Sequence, residues 1–364
     1  MKKLTDHLGF KKRNIHVFLK SKLASADTSV ALLYPFSLKT KSKVTFYTTD
    51  LRTYNEIKKN YVLYDAIQEI GSIEYIWRTE RKILSDIKDL LLILRAIASS
   101  FIPNTMVFHF NNIDSLPLSL LKWLPKGNIY YLDLFFICPS ENFIKLIKHH
   151  SRPYQINVSS SNALLFCQSR AINGPKNKIL LDDPYTDSIW MEYMKKTSEI
   201  WYKSIEKKYG KNKKIVYYVL RTFGNDAMMS DELSNLSLFK ETLRTLSLLD
   251  NVLILLKPHY ITDMNIVNRE ISRYPNVDIS VTYIHPLVAS HFSSFFIANF
   301  YSLALHFAKL NDNPVIEYTD YSKETLECTS GHPIGEGLID KFFLKGQEGE
   351  VLEAARNYLK EDNV

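Results

Sequence analysis

The chain has 364 residues, with a formal net charge of +7 at pH 7 and a sequence pI of about 9.0. Hydrophobic residues make up 46% of it, and 11 glycines with 13 prolines are too few for a disordered or fibrous chain. We therefore expect one large or two medium-sized globular domains. The three cysteines are widely separated and form neither a disulfide framework nor a metal-binding motif, which indicates a reducing compartment.

The first half of the chain alternates strand-like and helix-like segments, which predicts a mostly parallel sheet covered by helices. Apolar and β-branched runs predict strands at 29–36, 43–50, 72–77, 105–110, 128–136, 162–168 and 177–183. Apolar residues at helical spacing predict helices at 54–70 and 80–101.

A long helix with a polar face is predicted for residues 182–214, and it ends in a glycine and a lysine cluster, as a bridge between domains would. Beyond it, predicted strands alternate with predicted helices, the strands at 214–220, 251–256, 276–284, 295–300 and 313–319. The expected fold class is α/β with two Rossmann-like doubly wound domains. The expected divisions are a first domain at 1–182, a helical bridge at 183–213, a second domain at 214–320 and a helical tail at 321–364.

The basic charge is concentrated in two segments, residues 2–22 and residues 203–214. Such clusters form a solvated surface, or they bind an anionic membrane or an anionic substrate. Nucleic acid is a less favoured partner, because the clusters lack interleaved aromatic residues. The N-terminal segment has no uninterrupted apolar core and is not typical of a signal peptide, and the most apolar segment, 89–103, is too short to span a bilayer. We therefore expect a soluble or peripheral protein.

Polar residues follow the predicted strands of the second domain, where ligands of open α/β sheets bind. Free backbone N–H groups and helix N-termini at these strand ends favour an anion. The candidate residues are Arg221, Thr222, Lys257, His259, His285, Tyr301, Ser302 and Glu317. Ser302 also precedes a predicted helix, so it either binds a ligand or only caps that helix. In the first domain, His109 and Asn111 end a predicted strand and are candidate cleft residues.

The segment from Lys214 to Asp320 resembles the donor-binding half of GT-B glycosyltransferases. LLKPHY at 255–260 is similar to the KPHP signature of bacterial surface-polysaccharide enzymes, including Kdo, sialyl and glycerol-phosphate transferases. NFYSLALHFAKLNDNPVIEY at 299–318 resembles the usual sequel, in which a serine opens a helix and a P-V-I strand follows. The sequence departs from the pattern at Tyr260, which replaces the second proline, and at Tyr301, which replaces the first of two serines.

The resemblance implies two domains facing a central cleft and a glycosyltransferase with a nucleotide-sugar donor. It favours a CMP-sugar, such as Kdo or another 2-keto acid sugar, and a lipopolysaccharide or capsular glycan or glycolipid as acceptor. His259 and Ser302 would bind the donor phosphate, and Glu317 would lie near the ribose. Such an enzyme would be cytoplasmic and peripherally associated with the inner face of the bacterial cytoplasmic membrane.

Glycosyl transfer requires that the leaving phosphate be stabilised, and Lys257 with His259 can do this. No DxD-type motif follows a predicted strand, so we expect metal-independent transfer without a cofactor. A carboxylate is needed as base, or as nucleophile if configuration is retained. Asp226 is the favoured candidate because it follows the first strand of the second domain, while Asp231 and Asp133 are the alternatives.

Two other functions remain compatible with the sequence. One is a phosphotransferase of the teichoic-acid or capsule type with a CDP-alcohol donor, and the other is a non-catalytic subunit that binds a sugar nucleotide. Products would separate the first from a glycosyltransferase, because one enzyme transfers sugar and the other transfers alcohol phosphate. Binding without turnover would support the second.

Overall fold

The computed structural model divides the chain into two compact units. Within the part that it describes, unit 1 runs to Tyr193 and unit 2 begins at Met194. The structure describes residues 2–20, 22–48, 50–75, 87, 90–91, 94–95, 98, 104–110, 128–135, 156–157, 162–166, 172–173, 177–224, 228–259, 261–331 and 333–361.

Unit 1 is built on a parallel sheet with the strand order β3-β2-β1-β4-β5-β7-β9. Two further strands, β6 and β8, form a small parallel pair of their own. The strands of unit 1 are β1 (Asn14–Phe18), β2 (Lys43–Thr48), β3 (Gly71–Tyr75), β4 (Thr105–His109), β5 (Ile129–Leu132), β6 (Ile156–Asn157), β7 (Asn162–Leu165), β8 (Ile172–Asn173) and β9 (Lys178–Leu180).

Helices alternate with these strands, as the sequence predicts. The helices of unit 1 are α1 (Lys2–Leu8), α2 (Leu23–Thr40), α3 (Leu51–Lys59) and α4 (Tyr61–Ile70), followed by a short 3-10 helix (Pro184–Thr186) and by α5 (Ser188–Tyr209), which continues into unit 2. The predicted helix at 54–70 is two helices, because Asn60 ends α3 and its side chain accepts a hydrogen bond from the Leu63 N–H of α4 at 3.4 Å.

One expectation for unit 1 is wrong, and one strand was not predicted. Residues 29–36 form part of α2 and not a strand, and residues 25–37 of that helix are all buried. A helix buried on every side shows no polar face, so its sequence looks like that of a buried strand. The central strand β1 was not predicted, because it follows a basic segment and its run NIHVF is short.

Unit 2 is a six-stranded parallel sheet with the order β12-β11-β10-β13-β14-β15. Its strands are β10 (Lys214–Val219), β11 (Val252–Lys257), β12 (Asp278–Val281), β13 (Phe295–Ala298), β14 (Val315–Thr319) and β15 (Lys341–Leu344). In chain order this is 3-2-1-4-5-6, the strand order of dinucleotide-binding Rossmann folds. The predicted fold class, α/β with two Rossmann-like doubly wound domains, is confirmed.

The helices of unit 2 are α6 (Ser234–Leu246), α7 (Met264–Ile271), α8 (Pro286–Ala289), α9 (Leu303–Lys309), α10 (Lys323–Cys328) and α11 (Glu348–Glu361). The tail expected to be only helical at 321–364 contains β15, which pairs with β14 and completes the sheet. The division between the units falls inside α5, within the segment predicted as a bridge. None of the helices in the described ranges is long and apolar enough to cross a membrane.

Candidate functional site

The strand order of unit 2 reverses between β10 and β13, its two central strands. These strands pair in register, with Val219 opposite Ala298 at their carboxyl ends. In sheets with this strand order, the connections that follow the two central strands, here β10 and β13, run to opposite faces of the sheet. This leaves a crevice between their carboxyl ends. The segments that follow the two strands therefore define the candidate site.

Arg221 lies two residues beyond β10 and is partly exposed. Its guanidinium carbon lies 4.0 Å from the centre of the Phe300 ring, in the segment that follows β13. A guanidinium over an aromatic face is held by a cation–π contact. Gly224 ends this described segment with a φ of 152°, a conformation that other residues rarely adopt. Thr222, between them, is also partly exposed.

Lys257 and His259 come from the neighbouring strand β11. Lys257 is its last residue and pairs in register with Val219, and the Lys257 carbonyl accepts a hydrogen bond from the Leu220 N–H at 2.9 Å. Pro258 is buried, while Lys257 and His259 are partly exposed. The sequence interpretation of KPH is therefore consistent with the geometry: the rigid proline is packed inside, and the two residues that flank it reach solvent.

Ser302 and Tyr301 differ in solvent exposure and in their hydrogen bonds. Ser302 is the N-cap of α9, its hydroxyl oxygen accepts a hydrogen bond from the Ala304 N–H at 3.3 Å, and its side chain is partly exposed. Tyr301 is buried, and its backbone N–H donates to the Tyr321 hydroxyl at 3.3 Å. Ser302 thus caps the helix, as one of the two sequence interpretations holds, and its hydroxyl also lies at the carboxyl edge of the sheet.

Glu317 does not end its strand as the sequence analysis expected, because β14 continues to Thr319. Its side chain is fully buried and accepts a hydrogen bond from the Tyr321 hydroxyl at Oε1. Oε2 has no hydrogen-bond partner among the described residues. Burial raises the pKa of Glu317 to about 7, and the hydrogen bond from Tyr321 acts in the opposite direction. In this structure Glu317 has no surface with which to contact a ribose.

A buried amide lies directly below the crevice. Asn299 follows β13 and is fully buried, and the Tyr218 hydroxyl donates to its Oδ1. Its Nδ2 donates to the Thr242 hydroxyl at 3.0 Å and to the Tyr318 carbonyl at 2.9 Å. These bonds join β10, α6, β13 and β14 beneath the site, so the strand ends there are rigidly supported. The sequence analysis missed Asn299, although a polar residue that ends the apolar run FFIA was a usable signal.

Two other candidates have structural contacts. His285 is buried and is the N-cap of α8, where its Nδ1 accepts a hydrogen bond from the Leu287 N–H at 3.1 Å. Its ring lies 4.8 Å from that of Phe307, so the residue is packed inside unit 2 and is not placed to line an open cleft. Asp231 is exposed and accepts a hydrogen bond from the Leu233 N–H at 2.6 Å, in the turn before α6. A carboxylate there stabilises a helix start.

The favoured catalytic candidate, Asp226, lies outside the described residues, and so does the possible cleft residue Asn111. Both therefore stay sequence-based predictions.

The two candidate residues at described strand ends of unit 1 are buried. His109 is the last residue of β4, fully buried, with its ring 5.7 Å from that of Tyr131. Asp133 follows β5, is 1% exposed, and accepts hydrogen bonds from the Leu134 N–H at 3.0 Å and the Tyr131 hydroxyl at 3.3 Å. Both side chains are thus enclosed within this unit.

A second histidine of unit 1, His16 in β1, was not singled out by the sequence analysis. It is buried, and its Nδ1 forms a hydrogen bond of 2.9 Å with the Tyr47 hydroxyl. Burial lowers the pKa of His16 to about 4, and the charge of Arg95 lowers it further. The imidazole is therefore neutral at physiological pH.

The arrangement in unit 2 suits an anion. Arg221, Lys257 and His259 are partly exposed side chains at the ends of two neighbouring strands, and Ser302 adds a hydroxyl from the far side of the switch point. Cationic and N–H donors that lie close together bind phosphate well. These strand ends of unit 2 are therefore a candidate anion site. Of the two carboxylates singled out in this unit, Glu317 is buried, and Asp231 accepts the hydrogen bond from the Leu233 N–H.

Comparisons with known proteins give a likeness in fold. No family model and no curated protein matches the sequence. Among solved structures, LpCGTa in complex with UDP is 10% identical, with a TM-score of 0.50 over 95% of this chain and 90% of that one. UDP-N-acetylglucosamine 2-epimerase from Rickettsia bellii is 10% identical, with a TM-score of 0.48 over 97% and 98%. UGT2 of Phytolacca americana, complexed with UDP-2fluoro-glucose and pterostilbene, is 12% identical, with a TM-score of 0.46 over 88% and 84%. At such identities the likeness concerns the fold alone, and the chain shares the α/β fold of LpCGTa.

Proposed function

We propose that the protein is a glycosyltransferase that uses a nucleotide-sugar donor, and that the donor phosphate binds in the crevice of unit 2. The observation that carries this proposal is the position of Arg221, Lys257 and His259, all partly exposed, at the carboxyl ends of the paired strands β10 and β11. These cationic and imidazole groups lie beside the switch point of a 3-2-1-4-5-6 sheet, where nucleotides bind in other open α/β folds.

The proposed donor is a CMP-sugar. Support comes from the LLKPHY and NFYSLAL segments, which resemble those of enzymes with such donors. LpCGTa, with the same fold, was solved in complex with UDP, so a uridine nucleotide is the natural competitor in any test. A Kdo or other 2-keto acid sugar as donor, and a lipopolysaccharide or capsular glycan as acceptor, belong to the same proposal.

The proposed chemistry uses the crevice to stabilise the departing phosphate. As the bond between the anomeric carbon and the phosphate oxygen breaks, negative charge grows on the phosphate, and in this proposal Lys257 and His259 offset it. Asp226 then acts as the base for the acceptor hydroxyl, or as a nucleophile at the anomeric carbon. Asp133 in unit 1 and Asp231 are the alternative carboxylates.

Peripheral attachment to an anionic membrane is part of the proposal because of the lysines at 203–214. Lys213 forms an ion pair of 2.9 Å with Asp278, which removes one cation from that cluster. Attachment through the remaining exposed charge should weaken with salt, because screening acts within about 10 Å at 0.1 M. Sedimentation with vesicles of anionic and of neutral lipid, at low and high salt, measures this; equal binding to both would contradict it.

Thermal unfolding in the presence of CMP, CDP, UDP and GDP tests the nucleotide site. A ligand at about 100 times its Kd adds about 2.7 kcal/mol to the free energy of unfolding, so a true ligand raises the melting temperature by several degrees. We expect the largest shift with CMP, and a smaller one in the variant Lys257→Ala. Lys309→Ala is the matched control, because Lys309 pairs with Asp340 at 2.8 Å elsewhere in unit 2. No shift with any nucleotide in the unaltered protein would contradict the proposal.

Products then distinguish the reaction classes. A glycosyltransferase releases CMP and transfers sugar, whereas a CDP-alcohol phosphotransferase also releases CMP but adds an alcohol phosphate to the acceptor. Mass analysis of the acceptor separates the two. Binding without any change in the acceptor would favour a non-catalytic subunit.

A further inference from the structure

Tyr321 lies two residues beyond the end of β14 and touches the segments that follow both central strands of unit 2. Its backbone forms an isolated antiparallel bridge with Met229, in the segment between β10 and α6. Its hydroxyl accepts a hydrogen bond of 3.3 Å from the backbone N–H of Tyr301, which directly precedes Ser302. One buried side chain therefore joins two segments that are far apart in sequence and adjacent at the crevice.

The residues on either side of Tyr321 hold the segment after β10 as well. The Ser230 N–H donates to the Asp320 carbonyl at 2.8 Å, and the Ser322 N–H donates to the Met228 carbonyl at 2.9 Å. These backbone bonds hold residues 228–230 beside the chain around Tyr321.

The ring of Tyr321 supports Arg221 through Phe300. The Tyr321 and Phe300 rings meet edge to face at 5.6 Å, and the Arg221 guanidinium lies over Phe300 at 4.0 Å. Edge-to-face pairs and cation–π contacts each set a preferred geometry, so the position of Tyr321 is passed on to the guanidinium.

Glu317 lies beneath this arrangement. It is fully buried, its Oε1 accepts the hydrogen bond from Tyr321, and its Oε2 has no partner among the described residues. A buried carboxyl with one oxygen unsatisfied is unfavourable for folding. The hydrogen bond to the Tyr321 hydroxyl is thus made at a cost in stability, and its effect is to hold that hydroxyl in place.

We propose that Tyr321, held by Glu317, is a positioning residue that fixes the segments after β10 and β13 and so holds Arg221 and Ser302 in the geometry that binds a phosphate. This inference deepens the proposed function and depends on it for the identity of the ligand. The proposal makes Tyr321 and Glu317 act through their neighbours, and neither touches the ligand.

The variant Tyr321→Phe removes the hydroxyl and keeps the ring against Phe300. Tyr318→Phe is the matched control: its hydroxyl donates to Glu241 at 2.8 Å, so the same kind of tyrosine–glutamate bond is lost in the same strand region, away from Tyr301. Calorimetric titration with CMP and with UDP should give a Kd about five to ten times higher for Tyr321→Phe, the effect of one hydrogen bond with the disorder that follows its loss. Tyr318→Phe should change the Kd less than about twofold.

Glu317 offers a second test that does not depend on whether Tyr321→Phe folds well. Glu317→Leu removes the acceptor, whereas Glu317→Gln retains a carbonyl oxygen for the Tyr321 hydroxyl. We expect Glu317→Leu to raise the Kd for CMP or UDP about fivefold or more and Glu317→Gln to recover most of that loss. Because Leu also removes a buried carboxyl, Glu317→Leu can bind more weakly while unfolding at a higher temperature, which a purely structural role would not produce.

Hydrogen exchange in the absence of ligand tests the positioning directly. Tyr321→Phe deprives the Tyr301 amide of its acceptor, so peptides covering 299–302 and 228–230 should exchange at least about tenfold faster than in Tyr318→Phe. If both variants exchange alike in these peptides, and bind alike, the inference is overturned. If the unaltered protein binds neither CMP nor UDP, the proposed function fails, but faster exchange at Tyr301 still supports the positioning role and unchanged exchange still overturns it.

Discussion

The candidate polar residues at the carboxyl edges of the two sheets differ in their exposure to solvent. In unit 2, Arg221, Lys257 and His259 are partly exposed at the ends of neighbouring strands. In unit 1, His109 and Asp133 hold equivalent positions at strand ends and are almost fully buried. The candidate residues of the two sheets therefore differ in whether their side chains reach solvent or are enclosed. Topology alone does not determine which candidate residues are accessible to a ligand.

The buried ionisable groups of the two units also differ in sign. Glu317 of unit 2 is a carboxyl whose pKa is raised to about 7 by burial, against which the Tyr321 hydrogen bond acts. His16 of unit 1 is an imidazole whose pKa is lowered to about 4 by burial and by Arg95. Each group is therefore neutral over part of the physiological range, and each opposes folding when it becomes charged.

The largest expected effect concerns the chemical step. If the edge of unit 2 carries the catalysis, Asp226→Asn should lower turnover by about 10³-fold, the usual size for the loss of a general base. Donor affinity and melting temperature should hardly change, because an amide replaces a carboxylate of the same shape. Release of CMP from a CMP-sugar in the presence of a glycan acceptor measures the rate.

Asp231→Asn is the control for Asp226, since the amide oxygen can still accept the hydrogen bond from the Leu233 N–H. Near-normal turnover in Asp226→Asn would show that another residue is the base. A large loss of turnover in Asp133→Asn would then assign the base to unit 1, and the catalytic edge would be that of unit 1 and not that of unit 2.

The second effect concerns the stability of unit 2 at rising pH. The folded-state pKa of Glu317, about 7, lies above the ordinary value of 4.5, so folding favours the protonated form. Its contribution to stability is fully present below the ordinary pKa and is lost as the pH rises through the folded value, a loss of about 3 kcal/mol. Between pH 5 and pH 8, the unfolding free energy of the unaltered protein should fall relative to that of Glu317→Gln by most of this amount, as measured by urea unfolding. Parallel stability profiles for the two proteins would show that the carboxyl is not buried as described.

The third effect concerns the stability of unit 1 at falling pH. The folded-state pKa of His16, about 4, lies below the ordinary value of 6.5, so folding favours the neutral imidazole. Its contribution is present above pH 6.5 and is lost as the pH falls through the folded value, again by about 3 kcal/mol. His16→Asn keeps a polar group near Tyr47 and removes the titration. As the pH falls from 7.5 to 4.5, the unaltered protein should therefore lose more unfolding free energy than His16→Asn, as measured by urea unfolding. An equal loss in the two proteins would contradict the lowered pKa of His16.

The smallest expected effect separates two histidines of unit 2. His259→Ala should raise the Kd for a nucleotide about tenfold and change the melting temperature little, because the side chain is partly exposed and its hydrogen bond from the Ile261 N–H is long, at 3.5 Å. His285→Ala should do the reverse. It leaves the Leu287 N–H without its acceptor and creates a cavity beside Phe307, at a cost of about 2 kcal/mol in stability. Titration calorimetry and urea unfolding of both variants measure the two effects, and a similar response from both would remove the distinction between site and core.

The sequence predicts much of unit 2 because its signals are local. The buried runs of β10, β11, β13 and β14 are short, apolar and followed by polar residues, and this pattern predicts both the strands and the edge where Lys257 and His259 lie. The segment 29–36 misleads because α2 is buried on all sides and has no polar face. The central strand β1 is missed because its five residues follow a basic stretch.

Burial of single polar residues could not be predicted in the same way. His259 follows a proline near a strand end, and His285 precedes one. Yet His259 is partly exposed, whereas His285 caps a buried helix. Glu317 was expected near a ribose because of the resemblance to GT-B enzymes, and its burial with a hydrogen bond from Tyr321 is a tertiary effect. A tyrosine four residues after a glutamate in a strand and its sequel carries no local signal of that contact.

The sixth strand of unit 2 has a consequence for how the chain can be shortened. β15 pairs along Ile316–Thr319 of β14 and so covers a row of backbone N–H and C=O groups that would otherwise face solvent. A protein cut after residue 322 would keep Tyr321 and the candidate anion-binding residues and yet expose β14 as an open edge of the sheet. Open edges of this kind recruit other strands, so such a fragment should self-associate through β14. The last strand thus protects the molecule against aggregation, although none of the candidate anion-binding residues lies in it.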